Sequence, residues 1–590
     1  MTEELTLTTE RVDDIPLLLS QLEKMHLSTL IDQHFPTHGN WKGLSLGKVI
    51  AGWLSFILSE SNHRLNHVQP FIEQRLTLFQ NCLDSELRAL DFSDDRLASA
   101  LDYFSVDERW EAFEAAVGQN SLRVYDLECQ RVRVDATTAK SYVGVTADGL
   151  FQFGHSKDGR NDLAQVKINL SVLDPLGLPL TTTIVSGQCA DDPLYVPEIK
   201  RVQQLLEGKK GVTYIGDCKM AARSTRAFVA TSGDYYLCPL GQVQVSAEEL
   251  TELLTAFAGT QNLEEVFGAQ ADAGTPQKMA EGYAYEVEMA SQSTGEKQVW
   301  RERRFVVRSL KYAAKQKQSL LARMAQAQQE IESLNDRKQG KRALRSVEEL
   351  AEAARQVLQK QRVEGLLKLE YAEAVQRTQV RKYAGREGSW REEKQVRVSV
   401  EIEREAVQTK TESLGFRVYG TNHPTLTLEE VVKGYRAQYV IEHRIGRLKG
   451  NPLSLSPLYL SREERVVGLI RLLTIALRVL TLIEFQVRKK LQAEHTQLRE
   501  IYAGNPKRAT NRPTTEMMLK AFGSLTLTKI KVNGQILIHL TPLTKVQETI
   551  LNLLGFTADA YLRLIQHSSK PLLNLSEPWR YDYRKVKKRN

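Results

Sequence analysis

The stretch "RVRVDATTA", Arg131 to Ala139, is where the chain changes from a helical to an extended pattern. Val132 and Val134 fall on one face and Arg133 and Asp135 on the other, which predicts a strand covered on one side. We therefore expect a sheet to begin here, with Asp135 at the end of its first strand.

The segments after this strand predict an α/β fold. "AQVKINLSVLD" and "LPLTTTIVSG" flank the turn "DPLG", whose proline and glycine are placed to reverse the chain into a hairpin. A helix is expected over about 193 to 208, then the short strand "VTYIGD", a helix after Asp217 and the strand "DYYLCPL". This order of strands and helices predicts a mixed sheet with helices packed against it.

Helical patterns dominate elsewhere. The first 125 or so residues carry apolar stripes, and residues 246–412 contain a pattern of two helices flanked by strands such as "KQVRVSVEIE". The charge-rich composition of 246–412 fits a plain coiled-coil-like arm equally well, and periodicity does not separate the two. Further on, Thr427 with Glu430 and Ser461 with Glu464 have capping-box spacing and predict two helix starts.

Composition limits the classes of function. The 590 residues are too many for one core, so several domains are expected, and the net charge of +8 permits a polyanionic partner without requiring one. The five cysteines lack the close spacing that zinc sites use, and we expect reduced cytosolic thiols. The longest apolar run is interrupted by Arg471, Arg478 and Glu484, which favours a buried helix over a membrane span. The final "WRYDYRKVKKRN" suits phosphate contact, although many basic tails are merely solvated.

The segment "YRAQYVIEHRIGRLKG" begins at Tyr435 and carries polar residues at regular intervals. If it forms one helix, Tyr435, Gln438, Glu442 and Lys449 fall within an arc of about 60°. A solvated helix face is the simplest interpretation of such a stripe. The alternative is that Glu442 belongs to a site whose other members lie far away in the sequence.

Two further carboxylates are placed to join Glu442. Asp135 and Asp217 each end a predicted strand, and they come together if those strands are neighbours in the sheet. Three hard oxygen ligands without nearby sulfur suit Mg²⁺ or Mn²⁺, and two such ions can hold a phosphodiester for in-line attack. Taken singly, each acid is more simply a strand-end residue, a helix cap or a surface acid.

These motifs together resemble the DDE-type insertion-sequence transposases, in particular the group with the signature Y-x2-R-x3-E-x6-K. Tyr435, Glu442 and Lys449 match that spacing, and Gln438 stands where the arginine is usual. The blocks "VRVDATTA", "FGHSKDGRNDLAQVKINL", "TYIGDCKMAA" and "GFRVYGTN" are also similar to the family, and the resemblance covers nearly the whole chain.

The resemblance implies an RNase H-like catalytic core interrupted by a largely helical insertion domain and preceded by a helical N-terminal domain. The gap between Asp217 and Glu442 is itself too long for a connection within one core. The expected organisation has five parts: an N-terminal DNA-binding or assembly domain (1–125), the first part of the core (126–245), the insertion domain (246–412), the second part of the core (413–500) and a C-terminal DNA-contact or oligomerisation region with the basic tail (501–590).

The resemblance also implies an activity and its cofactors. Asp135, Asp217 and Glu442 become catalytic ligands of two Mg²⁺ ions, for which Mn²⁺ substitutes. The expected reaction is strand cleavage at the ends of the protein's own element, followed by 3′-OH strand transfer into target DNA. The implied partners are terminal inverted repeats and target DNA, bound by a homodimer in the bacterial cytoplasm, at the nucleoid.

DNA contacts are expected from two segments. Tyr435, Gln438 and Lys449 are implied to hold the DNA end, although glutamine lacks the charged fork with which arginine grips a phosphate. The loop "HSKDGR" offers three more candidates, for which a polar hairpin loop without a DNA contact is an even alternative: His155, Lys157 and Arg160.

Two other functions stay open. An RNase H-like nuclease would cut without joining, and a transposase-derived DNA-binding protein would bind ends without cutting them. The presence of all three acids argues against the second of these.

Overall fold

The computed structural model describes residues 6–260, 262–268, 276–293, 296–336, 346–380, 389–532 and 535–565. The chain forms a mixed α/β fold with a large mixed sheet and many helices. It divides into two compact units: unit 1, formed by Met1–Tyr236 and Arg436–Asn590, and unit 2, formed by Leu237–Tyr435. The basic tail and part of the "NDRKQGK" segment lie outside the described residues.

Unit 1 opens with a short strand and a set of helices, as the apolar stripes predict. Ser45 caps the longest of the first six helices, because its side chain accepts a hydrogen bond from the Lys48 amide at 3.4 Å. The elements are β1 (Thr6–Arg11), α1 (Ile15–Lys24), α2 (Leu27–His34), α3 (Leu46–Glu60), α4 (Val68–Glu73), α5 (Leu76–Cys82), α6 (Asp94–Phe104) and α7 (Asp107–Val124).

The sheet of unit 1 begins at Arg131, and the predicted order of strands and helices is confirmed. Within unit 1 the strand order is β4-β3-β2-β5-β6, with β2, β3 and β4 antiparallel and β2 parallel to β5. The elements are β2 (Arg131–Ser141), β3 (Ala164–Asp174), β4 (Leu178–Ser186), α8 (Tyr195–Leu205), β5 (Thr213–Ile215), α9 (Arg223–Thr231) and β6 (Tyr235–Leu240), the last of which continues into unit 2.

Two details of the first strand differ from the prediction. The strand is covered on both sides, since Arg133 is as completely buried as Val132 and Val134. Asp135 also lies inside β2 and not at its end, because the strand continues to Ser141 through its pairing with β3. The alternation of charged and apolar residues therefore reflects a buried ion pair and not a solvated face.

Unit 2 contains a sheet, a separate strand pair and helices. Its sheet has the order β6-β12-β9-β8-β7 and is antiparallel throughout. The elements are α10 (Ala247–Gly259), β7 (Glu264–Gly268), β8 (Gln277–Ser293), β9 (Glu296–Ser309), α11 (Leu310–Glu332), α12 (Val347–Gln361), β10 (Leu367–Val380), β11 (Ser389–Ile402), α13 (Arg404–Glu412), β12 (Phe416–Thr421) and α14 (Leu428–Arg436).

The helical pair of unit 2 has flanking strands, as predicted. The α11 and α12 helices pack against the β10–β11 pair through a core that includes Met324, Ile331, Leu350 and Val398. One side of each helix is thus covered by strands, which a plain coiled-coil-like arm would lack. The predicted capping box before α14 also forms, since Thr427 and Glu430 exchange side-chain to backbone hydrogen bonds.

The remainder of unit 1 is dominated by one long helix. The elements are α15 (Tyr439–Lys449), α16 (Glu463–Ala493), α17 (Thr515–Lys520), β13 (Thr526–Val532), β14 (Gln535–Leu540), α18 (Lys545–Leu554) and α19 (Asp559–Leu562). A second sheet has the order β1-β13-β14. The α16 helix begins at Glu463 and not directly after Ser461, so the second capping-box prediction is wrong in its position.

The α16 helix is long and apolar enough to span a membrane. However, 94% of its most apolar 18-residue window is buried within the protein. Its arginines are paired inside unit 1. Arg471 donates to the Phe104 carbonyl at 2.7 Å and pairs with Asp107, and Arg478 donates to Glu114 at 3.0 Å. This burial supports the interpretation of α16 as a core helix.

Candidate active site

The parallel register of β2 and β5 brings two of the predicted acids together. Arg133 is the register partner of Ile215, and Asp135 and Asp217 each lie two residues further along. Asp217 lies just beyond the last residue of β5, so both acids lie near the end of that short strand. This is the juxtaposition that the strand order predicts.

The charges near Asp135 act on its carboxyl group. Burial raises the pKa of Asp135, and the negative charge of Asp217 raises it further, while Lys157 opposes both effects. The Asp135 side chain is only 16% exposed. Two acids that repel each other at low exposure form a site at which a cation is favourable.

Tyr195 is a member of this site that the sequence analysis missed. Its hydroxyl donates a hydrogen bond to Asp217 Oδ1 at 2.7 Å, and the Lys219 amide donates to the same oxygen at 2.8 Å. Burial and the charges of Asp217 and Asp135 raise the pKa of Tyr195, so its phenol stays a donor. Gly216 makes room for the ring, since a Cβ there would lie 2.8 Å from Tyr195 Cε1.

Helix α15 covers the same face of the sheet. Ile441 is fully buried against Leu170 and Val172 of β3, which are the strand partners of Asp135 and Arg133. Directly paired residues of antiparallel strands share a face, so α15 packs on the side of the sheet where Asp135 lies. The residue after Ile441 is Glu442, which therefore belongs to the helix that borders the site.

A buried ion pair fixes the start of this helix over the sheet. Arg133 donates to Asp174 Oδ1 at 2.7 Å, and Arg131 donates to the other oxygen of Asp174 at 3.0 Å. Arg133 also donates to Gln438 Oε1 at 3.4 Å, at the residue that precedes α15. Arg133 of β2 thus brings a guanidinium to position 438, where this chain has a glutamine.

Glu442 is exposed on α15. Among the residues that the structure describes, no three His, Cys, Asp or Glu side chains are grouped closely enough to hold one metal ion. Asp135 and Asp217 supply hard carboxylate oxygens, which divalent cations such as Mg²⁺ take as ligands, and Lys157 is the positive charge that contacts Asp135 in the structure. The structure therefore brings together two of the three predicted ligands.

The prediction that Tyr435 and Glu442 share one helix is wrong. The α14 helix ends at Arg436 and α15 begins at Tyr439. Tyr435 belongs to unit 2, where its ring packs against Tyr419 with a centroid distance of 5.0 Å. The physical reason is that tertiary contacts anchor each half of the segment separately, which a sequence period does not reveal.

The predicted DNA-contact loop lies directly at Asp135. Lys157 Nζ donates to Asp135 Oδ1 at 3.1 Å and also to the Ala136 carbonyl. The next residue, Asp158, accepts hydrogen bonds from Lys449 Nζ at 2.8 and 2.7 Å. His155 and Arg160 are exposed in the same loop, where Arg160 forms a two-pronged ion pair with its neighbour Asp162.

Comparison with known proteins gives little. No protein-family model and no curated protein matches the chain. Among solved structures, the chain is similar to a piggyBac transposase, whose cryo-EM structure is a synaptic complex with hairpin DNA. The two share 7% identity over 84% of this chain and 80% of that chain, with a TM-score of 0.33. A TM-score this low does not establish a shared fold.

Proposed function

We propose that the protein is a DDE-type transposase that binds the terminal inverted repeats of its own insertion sequence, cleaves their strands and transfers the resulting 3′-OH ends into target DNA. The observation that supports this proposal is the closeness of two acids at the end of β5, where the negative charge of Asp217 raises the pKa of Asp135. The spacing of Tyr435, Glu442 and Lys449 adds the resemblance to that family.

Asp135, Asp217 and Glu442 would hold two Mg²⁺ ions, with Mn²⁺ as a substitute. When bound, these ions would supply positive charge to the attacking and leaving oxygens of the phosphodiester. Glu442 has to turn from solvent toward the other two acids, since it is exposed on α15. Tyr195 holds Asp217 in place by donating to Oδ1, and leaves Oδ2 for a ligand.

The chemistry has two steps that use the same site. Water attacks a phosphodiester at the element's end, the bond to the 3′ oxygen breaks, and that oxygen leaves as a 3′-OH. The 3′-OH then attacks a phosphodiester of the target, which forms a new bond and releases a target 3′-OH. Lys449, once free of Asp158, and Tyr435 would hold the DNA end during both steps.

The remaining parts of the proposal concern assembly. Unit 1 would correspond to an RNase H-like core with its N-terminal helices, and unit 2 would contain the insertion between the second acid and Glu442. Two copies of the chain would pair the two element ends, in the bacterial cytoplasm. The mild positive charge of +8 is compatible with such a DNA partner.

The test uses three substitutions in the full chain, Asp135→Asn, Asp217→Asn and Glu442→Gln, and DNA that carries the inverted repeats flanking the gene. Each variant is expected to lose Mg²⁺-dependent cleavage by at least about 10³-fold while retaining DNA binding. The matched control is Asp162→Asn, an exposed acid that follows the HSKDGR loop and pairs with Arg160. Normal cleavage by the Glu442 variant would show that another residue is the third ligand.

Product analysis separates the alternatives. A transposase joins the 3′-OH end to a second duplex, whereas a nuclease releases cut strands and no joined product. A chain that binds the repeats and cuts neither strand in Mg²⁺ or Mn²⁺ would be a DNA-binding protein only.

A further inference from the structure

We propose that Lys157 occupies the place of the metal ion at Asp135, and that Asp158 occupies the place of a DNA phosphate at Lys449. This inference rests on the proposed function. It makes Asp158, which has no role in the chemistry, a positioning residue that acts through its neighbour.

The contacts of Lys157 are those expected of a cation in place of a metal. Its ammonium group donates to Asp135 Oδ1 at 3.1 Å and to the backbone oxygen of Ala136. A divalent ion at Asp135 needs the oxygens of this carboxylate, one of which Lys157 already contacts, and the ammonium charge repels the ion. Lys157 is 35% exposed, so its long side chain has a path to solvent when a divalent ion arrives. Lys157 and the metal ion therefore compete for Asp135.

Asp158 contacts Lys449 in the place of a DNA phosphate. Both of its carboxylate oxygens accept hydrogen bonds from Lys449 Nζ, at 2.8 and 2.7 Å, in the geometry of a lysine with a phosphate. Lys449 is only 15% exposed in this pair, and Asp158 is 34% exposed. A DNA phosphate that approaches Lys449 must displace Asp158, and it also repels that carboxylate.

The contacts of Lys157 and Asp158 are linked because both residues belong to one hydrogen-bonded turn. The Ser156 amide donates to Asn161 Oδ1 at 2.8 Å, the Gly159 amide donates to the Ser156 carbonyl at 3.1 Å, and the Asp158 amide donates to Ser156 Oγ at 3.2 Å. Gly159 has φ +72°, the left-handed conformation that such a tight turn requires of a glycine. A turn closed in this way moves as one piece.

Displacement at one end therefore affects the other end. A phosphate that releases Asp158 from Lys449 removes the contact that holds the turn against α15, and Lys157 loses its position over Asp135. DNA binding then exposes Asp135 to the metal ion. The consequence is that the site binds metal weakly without DNA and more tightly with it.

The experiment measures Mn²⁺ binding alone, without DNA, by electron paramagnetic resonance of free Mn²⁺ in titrations of the full chain. Lys157→Met and Asp158→Asn are both expected to raise the affinity for Mn²⁺, by about fivefold, which is what loss of a partly exposed ion pair supports. Asp135→Asn is expected to abolish the site. Asp162→Asn changes a paired acid of the same loop that does not contact the site, so it is expected to bind Mn²⁺ like the unchanged chain.

Asp158→Asn is the decisive variant because two effects change its affinity for Mn²⁺ in opposite directions. Removing a negative charge near a cation site lowers the affinity for Mn²⁺ by simple electrostatics, whereas releasing Lys157 raises it. Asp158→Glu, which keeps the charge for Lys449, is expected to restore the low affinity. If the Mn²⁺ affinity of Asp158→Asn is lower or unchanged while Asp135→Asn loses Mn²⁺ binding, the inference is overturned and the proposed metal site stands. Absence of Mn²⁺ binding in every variant, Lys157→Met included, would overturn the metal site itself.

Discussion

The phenol of Tyr195 donates a hydrogen bond of 2.7 Å to Asp217 Oδ1, and this pair joins helix α8 to the strand end that carries the second acid. The contact leaves one oxygen of Asp217 for a ligand. It also fixes the orientation of the carboxylate, because the Lys219 amide donates to the same Oδ1 atom.

Tyr195→Phe is expected to slow Mg²⁺-dependent cleavage by about tenfold, the value of one hydrogen bond to a charged group, with little loss of stability. Single-turnover cleavage and thermal unfolding are the measurements. Tyr214→Phe is the matched control, because the Tyr214 hydroxyl is buried and has no hydrogen-bond partner among the described residues. Equal rates for both variants would show that Tyr195 has only a packing role.

Gln438→Arg is expected to destabilise the protein. Arg133 already reaches Gln438 at 3.4 Å and is completely buried, so a second guanidinium would meet a like charge. The expected loss is on the order of 1–3 kcal/mol in the free energy of unfolding, measured by denaturant titration. Gln438→Glu, which keeps an acceptor for Arg133, is expected to be tolerated. An arginine variant that is fully stable and cleaves faster would contradict this account.

Ile441→Ala is expected to reduce stability by about 2–5 kcal/mol, because it leaves a cavity between α15 and the buried residues Leu170 and Val172. Cleavage should fall more than DNA binding does, since Glu442 follows Ile441 on the same helix. His443→Ala, at an exposed position next to Glu442, serves as the control. A variant that keeps full cleavage at a temperature where it is folded would show that α15 docking does not position the site.

Asp14→Asn is expected to remove a pH dependence of stability. Burial raises the pKa of Asp14 to about 7, despite the hydrogen bond from Ser59, whose hydroxyl donates to it at 2.6 Å. A raised folded pKa favours the protonated acid, so its contribution to stability is complete below the ordinary pKa of 3.8 and is lost as pH rises through about 7. The unfolding temperature of the variant relative to the unchanged chain should therefore be higher at pH 8 than at pH 5. Asp94→Asn, at an exposed acid, should show no such change.

The features that could be predicted are those that depend on residues close together in the sequence. The period of two over Arg131 to Ala139 and the turn "DPLG" gave the strands, and the strand order gave the meeting of Asp135 and Asp217. Burial of Arg133 was not predictable in the same way, because its partners Asp174 and Gln438 come from other parts of the chain.

Other misses have the same origin. Tyr195 lies in an ordinary helical segment, and only the fold shows that its hydroxyl reaches Asp217. The end of α14 at Arg436 follows from packing on either side of the break, since the two residues of the break, Ala437 and Gln438, are neither proline nor glycine. The ion pairs of Lys157 with Asp135 and of Lys449 with Asp158 were not predictable either, because each joins segments that are separated in the sequence.

The division of unit 1 into two chain segments has a consequence for synthesis of the protein. The ribosome completes all of unit 2 before α15 and α16 are made, so the sheet that bears Asp135 and Asp217 waits without its covering helices. A nascent chain in that interval holds two carboxylates and no Glu442. Any activity that needs the third acid therefore begins only after α15 has been made.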